Sequence, residues 1–303
     1  FKKTFNLEMN LHGIDKLSDL IHKKINVLNV WKEPVDIHFG KEENAIGAYA
    51  IKSLTAAVSA LKNSEIDVLV TAPINKSNIQ SETFTFPGHT DYLAQELEGD
   101  SLMLLISETL KIGLLTDHVA VKDVPKTITR ELIDKKINII HSTMIQDFGI
   151  EKPKIAVLGI NPHNGDNGVI GDEDDTVLRP ALDNIRNNGK TIFGPYAADS
   201  FFGSGNYKNF DVVIAAYHDQ GLIPFKTLAF GSGVNFTAGL NKVRTSPDHG
   251  TAYDIAGKNM ASFESFREAV YSAIKIYKSR KEHQEISNNP LKFNRKKAFV
   301  KKN

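Results

Sequence analysis

Three histidines each follow a short apolar run, and together they could bind a metal ion. They are His118 after residues 112–115, His163 after residues 155–160 and His218 after residues 212–216. Continuous β-branched runs bounded by turn residues are typical of strands buried on both faces of a parallel sheet. Ligands gather beyond the carboxyl ends of such strands, so the three imidazoles could converge there on one ion. Histidine is the commonest metal ligand, and three of them leave a coordination position open for a substrate.

Each of these histidines also has a purely structural interpretation. His163 lies in an Asn- and Gly-rich loop, where it could simply hydrogen-bond its own backbone. His218 precedes Asp219, which could orient the imidazole, approach the metal itself, or belong to a surface turn closed by Gly221. Residues 117 and 118 form an Asp-His pair after a strand, and such a pair, taken alone, is common in ordinary turns. The matching positions of all three histidines favour metal binding.

The elements that must position these residues alternate between strand-like and helix-like segments, which predicts an α/β fold. The predicted helices cover residues 46–61, 129–148, 175–187 and 263–277, and the predicted strands cover residues 67–71, 102–106, 112–115, 155–160 and 212–216. We expect two lobes, since a single core rarely grows beyond about 250–300 residues. Residues 120–230 form one continuous α/β lobe, and residues 1–119 and 231–303 form the other.

The amino-acid composition excludes several classes of site and gives no reason to expect certain partners. The 303 residues carry 37 Lys and Arg against 36 Asp and Glu, which gives no reason to expect a nucleic-acid or membrane partner. The absence of cysteine excludes disulfides, cysteine-ligated zinc, iron–sulfur clusters and thiol nucleophiles. No apolar run approaches the ~20 residues that cross a bilayer, and no signal-peptide pattern opens the sequence, so we expect a soluble cytoplasmic protein. The first residue is Phe1 rather than Met, which indicates an incomplete N-terminus.

A second set of residues points to an anionic substrate. His89 follows a Pro-Gly turn and could contact substrate together with the hydroxyl of Thr90, while Thr90 or Asp91 could cap the helix that follows. Further along the chain stand Lys226, Asn235 and Arg244. Cations near a metal suggest bound phosphate or carboxylate groups, although their spacing alone favours scattered surface charges.

A stretch rich in small residues, 248–258, could bind a nucleotide. Exposed backbone amides there could bond phosphate oxygens, and Asp254 could bond a ribose or an adenine edge. No Gly-x-Gly-x-x-Gly pattern follows a strand, so a conventional Rossmann site is not supported. The acidic residues 172–175 are interpreted as favourable charge at a helix N-terminus rather than as a cation site.

Five motifs, in one order along the chain, resemble those of the 4-hydroxythreonine-4-phosphate dehydrogenase family of pyridoxal phosphate biosynthesis. They are VTAPINK at 70–76, GHTD at 88–91, NPH at 161–163, YHDQG at 217–221 and RTSPDHGTA at 244–252. The resemblance runs from about residue 43 to residue 277. Residues 248–258 are also similar to the adenine-side cofactor loop of the wider isocitrate and isopropylmalate dehydrogenase group.

The resemblance implies a two-domain α/β/α subunit that works as a homodimer, with the active site in the interdomain cleft at the dimer interface. A divalent ion, zinc, magnesium or cobalt, would be held by His118, His163 and His218, the last of them contributed by the neighbouring subunit. Substrate contacts would fall on His89, Thr90, Lys226, Asn235 and Arg244. The loop that binds NAD or NADP would comprise His249, Gly250, Thr251, Ala252 and Asp254. The family's opening strand and Gly-Asp-Pro-x-Gly-Ile-Gly type loop do not occur, which again indicates a missing N-terminal strand.

The implied reaction oxidises 4-phosphooxy-L-threonine at C3 to 2-amino-3-oxo-4-phosphooxybutanoate, with hydride passing to the nicotinamide. Loss of carbon dioxide then yields 3-amino-2-oxopropyl phosphate. Asp219 and Lys226 are the candidate acceptors for the hydroxyl proton. Three alternatives stay open: a paralogue that oxidises 4-phospho-D-erythronate or 4-phosphothreonate, a metallohydrolase with three histidine ligands, and a non-catalytic binding protein.

Overall fold

The computed structural model describes residues 5–82, 84–86, 88–229 and 231–290, and it confirms the predicted α/β class. In chain order the strands and helices are β1 (Leu11–Ile14), β2 (Ile25–Leu28), α1 (Asn44–Lys62), β3 (Val68–Val70), α2 (His89–Glu96), β4 (Gly99–Ile106), β5 (Lys111–Leu114), α3 (Val124–Thr127), α4 (Arg130–Gln146), β6 (Ile155–Leu158), α5 (Arg179–Asn187), β7 (Ile192–Tyr196), α6 (Ala198–Gly203), β8 (Val212–Ala215), α7 (His218–Leu228), β9 (Val234–Leu240), β10 (Val243–Pro247) and α8 (Glu264–Ser287). Every helix and strand predicted from the sequence is present, and α8 continues well beyond its predicted end. Within the described residues, no helix combines the length and the apolar character needed to cross a membrane.

The chain divides into two compact units whose boundaries differ from those predicted. The first unit contains the described residues up to 101 and from 231 to 270, and the second contains those from 102 to 229 and from 271 to 290. The prediction had assigned 102–119 and the C-terminal segment to the first lobe. Residues 102–119 belong to the second unit because β5 hydrogen-bonds to β8, and the end of α8 belongs there because Arg280 forms an ion pair with Asp147. Residues 291–303 of the predicted lobe lie outside the described residues.

The second unit is built on strands in the order β4-β5-β8-β6-β7. β5, β8, β6 and β7 are mutually parallel, whereas β4 is antiparallel to β5. Every residue of β6 and β8 is buried, as expected for parallel strands covered on both faces. Because β5, β6 and β8 run in the same direction, their carboxyl ends lie at one edge of the sheet, and the loops that follow them carry His118, His163 and His218.

Two glycines allow helices to pack closely on β5. A Cβ at Gly113 would lie 2.8 Å from Cδ1 of Ile140 in α4, and a Cβ at Gly221 in α7 would lie 2.9 Å from Cγ2 of Ile112. Such distances are shorter than real carbon–carbon contacts, so larger residues would force the helices away from the strand. The close approach of α7 places its first residue, His218, beside the end of β5.

The first unit contains the short sheet β3-β10-β9, in which β10 is parallel to β3 and antiparallel to β9. Its core consists mainly of leucines from α1, β3 and α2, and of aromatic side chains. Strands β9 and β10 were not predicted from the sequence. Their sequences, VNFTAGL and VRTSP, mix glycine, polar and charged residues, so no strand periodicity is apparent.

Candidate functional site

Two of the three candidate metal ligands, His118 and His218, lie close together at the carboxyl ends of β5 and β8. We call this edge of the sheet, with its three residues His118, His163 and His218, the histidine edge. The ring centroids of His118 and His218 are 6.0 Å apart, with an interplanar angle of 36°. Two imidazoles bound to one ion, each nitrogen about 2.1 Å from it, have centroids about 5–6 Å apart. The pair therefore fits a shared divalent ion in donor type and spacing. The family resemblance implied that His118 and His163 share one subunit and that His218 comes from its neighbour. Within one chain, the neighbouring strands β5 and β8 bring His118 next to His218.

The carboxylate that follows His218 is positioned to orient its ring. The Nδ1 atom of His218 lies 2.7 Å from Oδ1 of Asp219. When Nδ1–H donates to this carboxylate, Nε2 presents its lone pair, which is the tautomer that a metal ligand needs. Of the interpretations that the sequence left open for Asp219, this contact favours the orienting one.

His163 stands in a loop with an unusual backbone. Residues 163–168 all have positive φ angles, between 45° and 88°. Non-glycine residues in this conformation are strained by roughly 1–3 kcal/mol each and persist only where surrounding contacts hold them. Buried Asp174 supplies such contacts, because its carboxylate accepts the amide hydrogens of Ile160 at 2.8 Å and Asn161 at 2.9 Å. The predicted irregular loop is confirmed. From the sequence, the acidic residues 172–175 were interpreted only as favourable charge at a helix N-terminus. The anchoring role of Asp174 was not predicted.

A complete metal site is not formed by the described residues of one chain. Among them, no group of three or more His, Cys, Asp or Glu side chains is arranged to hold an ion. His163 is exposed at the same edge of the sheet. The set of three histidine ligands therefore stays a prediction, with two of its members observed close together.

Arg244 occupies a second candidate site, in the first unit. This residue of β10 is only 3% exposed. Its Nε and Nη2 atoms donate to the hydroxyl of Thr71 at 3.1 and 2.7 Å, and its Nη1 atom donates to the hydroxyl of Thr237 at 3.1 Å. We call these three residues the guanidinium site. Both threonines were missed by the sequence analysis, although Thr71 lies within one of its five motifs.

The guanidinium of Arg244 is a buried charge that no carboxylate of the described residues neutralises. Burial lowers the pKa of Arg244 to about 10, so the group is still charged at neutral pH. A buried charge without a partner is costly, and threonine hydroxyls offset only part of that cost. Arrangements of this kind are suited to an incoming anion, which Arg binds in a planar, bidentate geometry.

His89 and Asn235 lie near this charge. Burial, reinforced by the positive charge of Arg244, lowers the pKa of His89 to about 3, so its ring is neutral at physiological pH. Asn235 is opposite Ser246 in the β9–β10 ladder, and Arg244 is two residues before Ser246, so Asn235 and Arg244 face the same side of the sheet. The Oδ1 atom of Asn235 is buried without a hydrogen-bond partner among the described residues.

The remaining predicted substrate residues lie on helices. Thr90 is the second residue of α2, and Lys226 is an exposed residue in the last turn of α7. The predicted cap at Thr90 or Asp91 is wrong, because α2 already begins at His89 and its N-cap is Gly88, which has no side chain to accept a bond. His89 and Thr90 consequently stand at the N-terminus of a helix, where exposed amide groups favour negative charge.

The predicted cofactor loop borders a cavity of about 420 Å³ within the first unit. The residues that line it are Phe5, Leu7, Pro73, His249, Gly250, Thr251, Ala252, Ile255, Ala256, Gly257, Asn259 and Ala261. Four of the five predicted cofactor residues are among them. Asp254 is not, since it is exposed in the short helical turn Tyr253–Ile255.

Comparisons with known proteins agree with these features. The family model described as pyridoxal phosphate biosynthetic protein PdxA matches residues 1–273. The 4-hydroxythreonine-4-phosphate dehydrogenase of Bacteroides thetaiotaomicron is 45% identical over 293 residues, covering 96% of this chain and 80% of that protein. The enzyme of the same name from a Sulfurihydrogenibium species is 43% identical, covering 92% and 86%.

A solved structure supports the same assignment. The crystal structure of 4-hydroxythreonine-4-phosphate dehydrogenase from Klebsiella pneumoniae superposes with a TM-score of 0.77 at 32% identity, covering 91% of this chain and 87% of that one. Sequence and fold thus agree over most of the length. The chain belongs to the family of pyridoxal phosphate biosynthetic proteins PdxA, the 4-hydroxythreonine-4-phosphate dehydrogenases, and is an oxidoreductase.

Proposed function

We propose that this chain oxidises 4-phosphooxy-L-threonine at C3, with NAD or NADP as hydride acceptor and with a divalent ion held at the histidine edge. The observation that carries the substrate class is the buried charge of Arg244, which no carboxylate of the described part of the chain neutralises. The phosphate or the carboxylate of the substrate would neutralise this charge, which gives affinity and also fixes the orientation of C3. The product is a β-keto acid, and loss of carbon dioxide from it gives 3-amino-2-oxopropyl phosphate.

The side chains of the first unit would bind and orient the substrate. Arg244 holds an anionic group, and neutral His89 donates through one ring nitrogen and accepts through the other. Asn235 Oδ1, which has no hydrogen-bond partner among the described residues, accepts a hydrogen bond from a substrate hydroxyl or ammonium group. Thr90 adds a hydroxyl at the start of α2.

At the histidine edge, His118, His163 and His218 are the proposed metal ligands. When bound, a divalent ion supplies Lewis acidity at the oxygen on C3. Asp219 holds the ring of His218 through Nδ1, which leaves Nε2 as the ligand atom. Asp219 and Lys226 are the proposed candidates to accept the proton of the C3 hydroxyl. Zinc, magnesium and cobalt are all compatible with the proposal, and cobalt and zinc suit imidazole ligands best.

The cavity bordered by His249, Gly250, Thr251 and Ala252 is the proposed nucleotide site. Its lining is mostly apolar and backbone, which suits an adenine ring packed against small residues. The closing Gly257 has a φ of +78°, and a Cβ there would lie 2.8 Å from Cβ of Phe39, so this turn requires glycine. Asp254 is not proposed as a cofactor residue on this geometry.

The test is an assay of nicotinamide reduction with 4-phosphooxy-L-threonine, run before and after treatment with a chelator and again after metal is added back. We expect strict dependence on both the nucleotide and the ion. Faster turnover with 4-phospho-D-erythronate or 4-phosphothreonate would replace the proposed substrate by that of the paralogue. Substrate turnover without any nucleotide would indicate the metallohydrolase instead, and binding without turnover would indicate a binding protein.

We further propose that the active unit is a homodimer whose sites are shared, with one histidine ligand supplied by the neighbouring subunit. The incomplete ligand set of the described residues of one chain is in keeping with this proposal. Mixing His218→Ala chains with His163→Ala chains should restore activity in the mixed dimers. Mixed dimers that form and yet remain inactive would contradict the shared site. The location in a cleft between lobes and in the cytoplasm, and the absence of nucleic-acid and membrane partners, stay predictions from the sequence.

A further inference from the structure

Gln220 is a half-buried residue in the first turn of α7, two positions after His218, and its carboxamide joins two strand ends. Its Oε1 atom accepts the amide hydrogen of Ala216 at 2.7 Å, just beyond the end of β8. Its Nε2 atom donates to the carbonyl of Gly159 at 2.7 Å, just beyond the end of β6. The register of the two strands ends at the pair Val157 and Ile214. Beyond that pair, the Gln220 side chain takes the place of the ladder hydrogen bonds.

The bridge continues from Ala216 to the third strand end. The hydroxyl of Thr116, a residue only 3% exposed, donates to the carbonyl of Ala216 at 2.8 Å. The backbone amide of Thr116 donates to the same carbonyl at 3.2 Å. The peptide groups of Ala216 are therefore held from both sides, by Gln220 on the side of β6 and by Thr116 on the side of β5.

The Gly159 end of the bridge is packed against the loop of His163. A Cβ at Gly159 would lie 2.3 Å from Oδ1 of Asn164 and 3.0 Å from Oδ1 of Asp174. The amide of Gly159 donates to the carbonyl of Tyr196 at 2.8 Å, so Gly159 is also held on the side of β7. Gly159 is therefore in close contact with the side chain of Asn164, the residue next to His163.

From these contacts we propose that Gln220 is a positioning residue for the histidine edge. The chain of hydrogen bonds runs from Thr116 through Ala216 and Gln220 to Gly159, and it sets the separation of the three loops that carry the histidines. Buried or half-buried side-chain amides that satisfy two backbone groups hold them rigidly, because loss of the amide leaves both groups without partners. The proposal rests on the proposed metal-binding function of these histidines, and it assigns Gln220 no contact with substrate.

The test compares Gln220→Met, which keeps the side-chain length and removes both hydrogen bonds, with Gln146→Met. Gln146 is an exposed residue at the end of α4, so the same substitution there is a matched control. The measurements are the affinity for Co²⁺ alone, the visible absorption spectrum of the Co²⁺ complex, and hydrogen exchange at the Ala216 amide. For Gln220→Met we expect Co²⁺ affinity to fall about 10- to 100-fold, the range typical of residues that support metal ligands. We also expect an altered spectrum and faster exchange at Ala216, with KM for substrate nearly unchanged.

A second pair of variants covers the case in which Gln220→Met fails to fold. Thr116→Val removes the hydroxyl that bonds Ala216, and Thr116→Ser retains it. Thr116→Val should lower Co²⁺ affinity, and Thr116→Ser should restore it. Wild-type Co²⁺ affinity and spectrum in folded Gln220→Met, or in Thr116→Val where the former does not fold, would overturn the proposal.

The same measurements separate this proposal from the proposed function. A wild-type chain that binds Co²⁺ and does not reduce the nicotinamide would contradict the function, while the Co²⁺ affinities of the variants would still decide the role of Gln220. A wild-type chain that reduces the nicotinamide while Gln220→Met retains full Co²⁺ affinity would contradict the role of Gln220 alone. A wild type that binds none of Co²⁺, Zn²⁺ and Mg²⁺ would overturn both.

Discussion

The guanidinium site and the histidine edge differ in how far each is prepared for its ligand. At the guanidinium site, Arg244 is buried and held by two threonine hydroxyls at 2.7 to 3.1 Å. At the histidine edge, His118 and His163 are exposed, and His118 and His218 alone form a close pair. The first site is already ordered by its own unit, whereas the second has its strand ends fixed and its side chains open to solvent.

This difference indicates a division of labour. A preorganised buried charge is suited to binding, because the cost of ordering it was met during folding. A pair of imidazoles that solvent still reaches is ordered further when a cation arrives, so its geometry depends on the backbone that carries it. Substitutions at the two places should therefore separate substrate binding from metal binding and turnover.

The largest effect is expected at the histidine edge. His218→Ala should abolish metal binding and lower turnover by about 1,000-fold or more, since a Lewis acid contributes several kcal/mol to the barrier. Asp219→Asn, which keeps the ligand and weakens the contact that orients it, should lower metal affinity only about 10- to 100-fold. Metal titration and steady-state kinetics measure both. Full activity in His218→Ala would remove this residue from the metal site.

The next effect concerns the guanidinium site. Arg244→Met should lower kcat/KM about 100-fold, mainly through KM, because charge-assisted hydrogen bonds to an anion contribute about 3 kcal/mol. Thr71→Val should give a smaller increase in KM, and Thr71→Ser, which retains the hydroxyl, should behave like the wild type. Metal affinity should be unchanged in all three variants. An Arg244→Met chain with normal KM and weakened metal binding would contradict the comparison.

A smaller effect is expected from the backbone of the His163 loop. A Cβ at Gly165, where φ is +83°, would lie 2.3 Å from the carbonyl oxygen of Gly171. Gly165→Ala should therefore lower the free energy of unfolding by about 3 kcal/mol and weaken metal binding. Gly168→Ala is the matched control, because φ is +88° and no atom of the described residues, chain neighbours aside, lies within 4 Å of the added Cβ, so it should cost only about 1 kcal/mol. Denaturant unfolding measures both, and equal losses would contradict the steric argument.

The smallest effect is the pH dependence that His89 gives to the free energy of unfolding. The folded-state pKa of about 3 lies below the unfolded value near 6.5, so protons bind the unfolded chain first as the pH falls. This group should therefore lower stability progressively as the pH falls from about 6.5 toward 3, by at most about 1.4 kcal/mol per pH unit. Unfolding at pH 7, 6 and 5 should show a shallower decline for His89→Gln than for the wild type.

His22→Gln, on an exposed ring of the same unit, controls for the substitution itself. Equal pH slopes for the wild type and His89→Gln would show that the ring of His89 titrates as readily in the folded chain as in the unfolded one. That outcome would contradict its burial beside Arg244.

Six elements of the second unit were predictable because apolar residues dominate them, namely β4, β5, α4, β6, α5 and β8, whereas α3, β7, α6 and α7 were not predicted. The runs at 155–160 and 212–216 are continuous, and the stripe of α4 places Ile133, Ile137 and Ile140 on its buried face. β9 and β10 were not predictable, since a strand such as VRTSP is stabilised by pairing with distant residues rather than by its own pattern. The same reason hides the partners of Arg244, which lie 173 and 7 residues away along the chain.

The sequence by itself determined the α/β class, the three histidines behind their strands, and the family, because these depend on residue types in fixed order along the chain. Only the tertiary structure decided that His118 is next to His218, that Arg244 is buried between two threonines, and that Gln220 and Asp174 hold the strand ends. Strand order and helix packing set these contacts, and both depend on pairings between residues far apart in the sequence. The candidate functional residues could thus be identified from the sequence, whereas the residues that hold them in place could not.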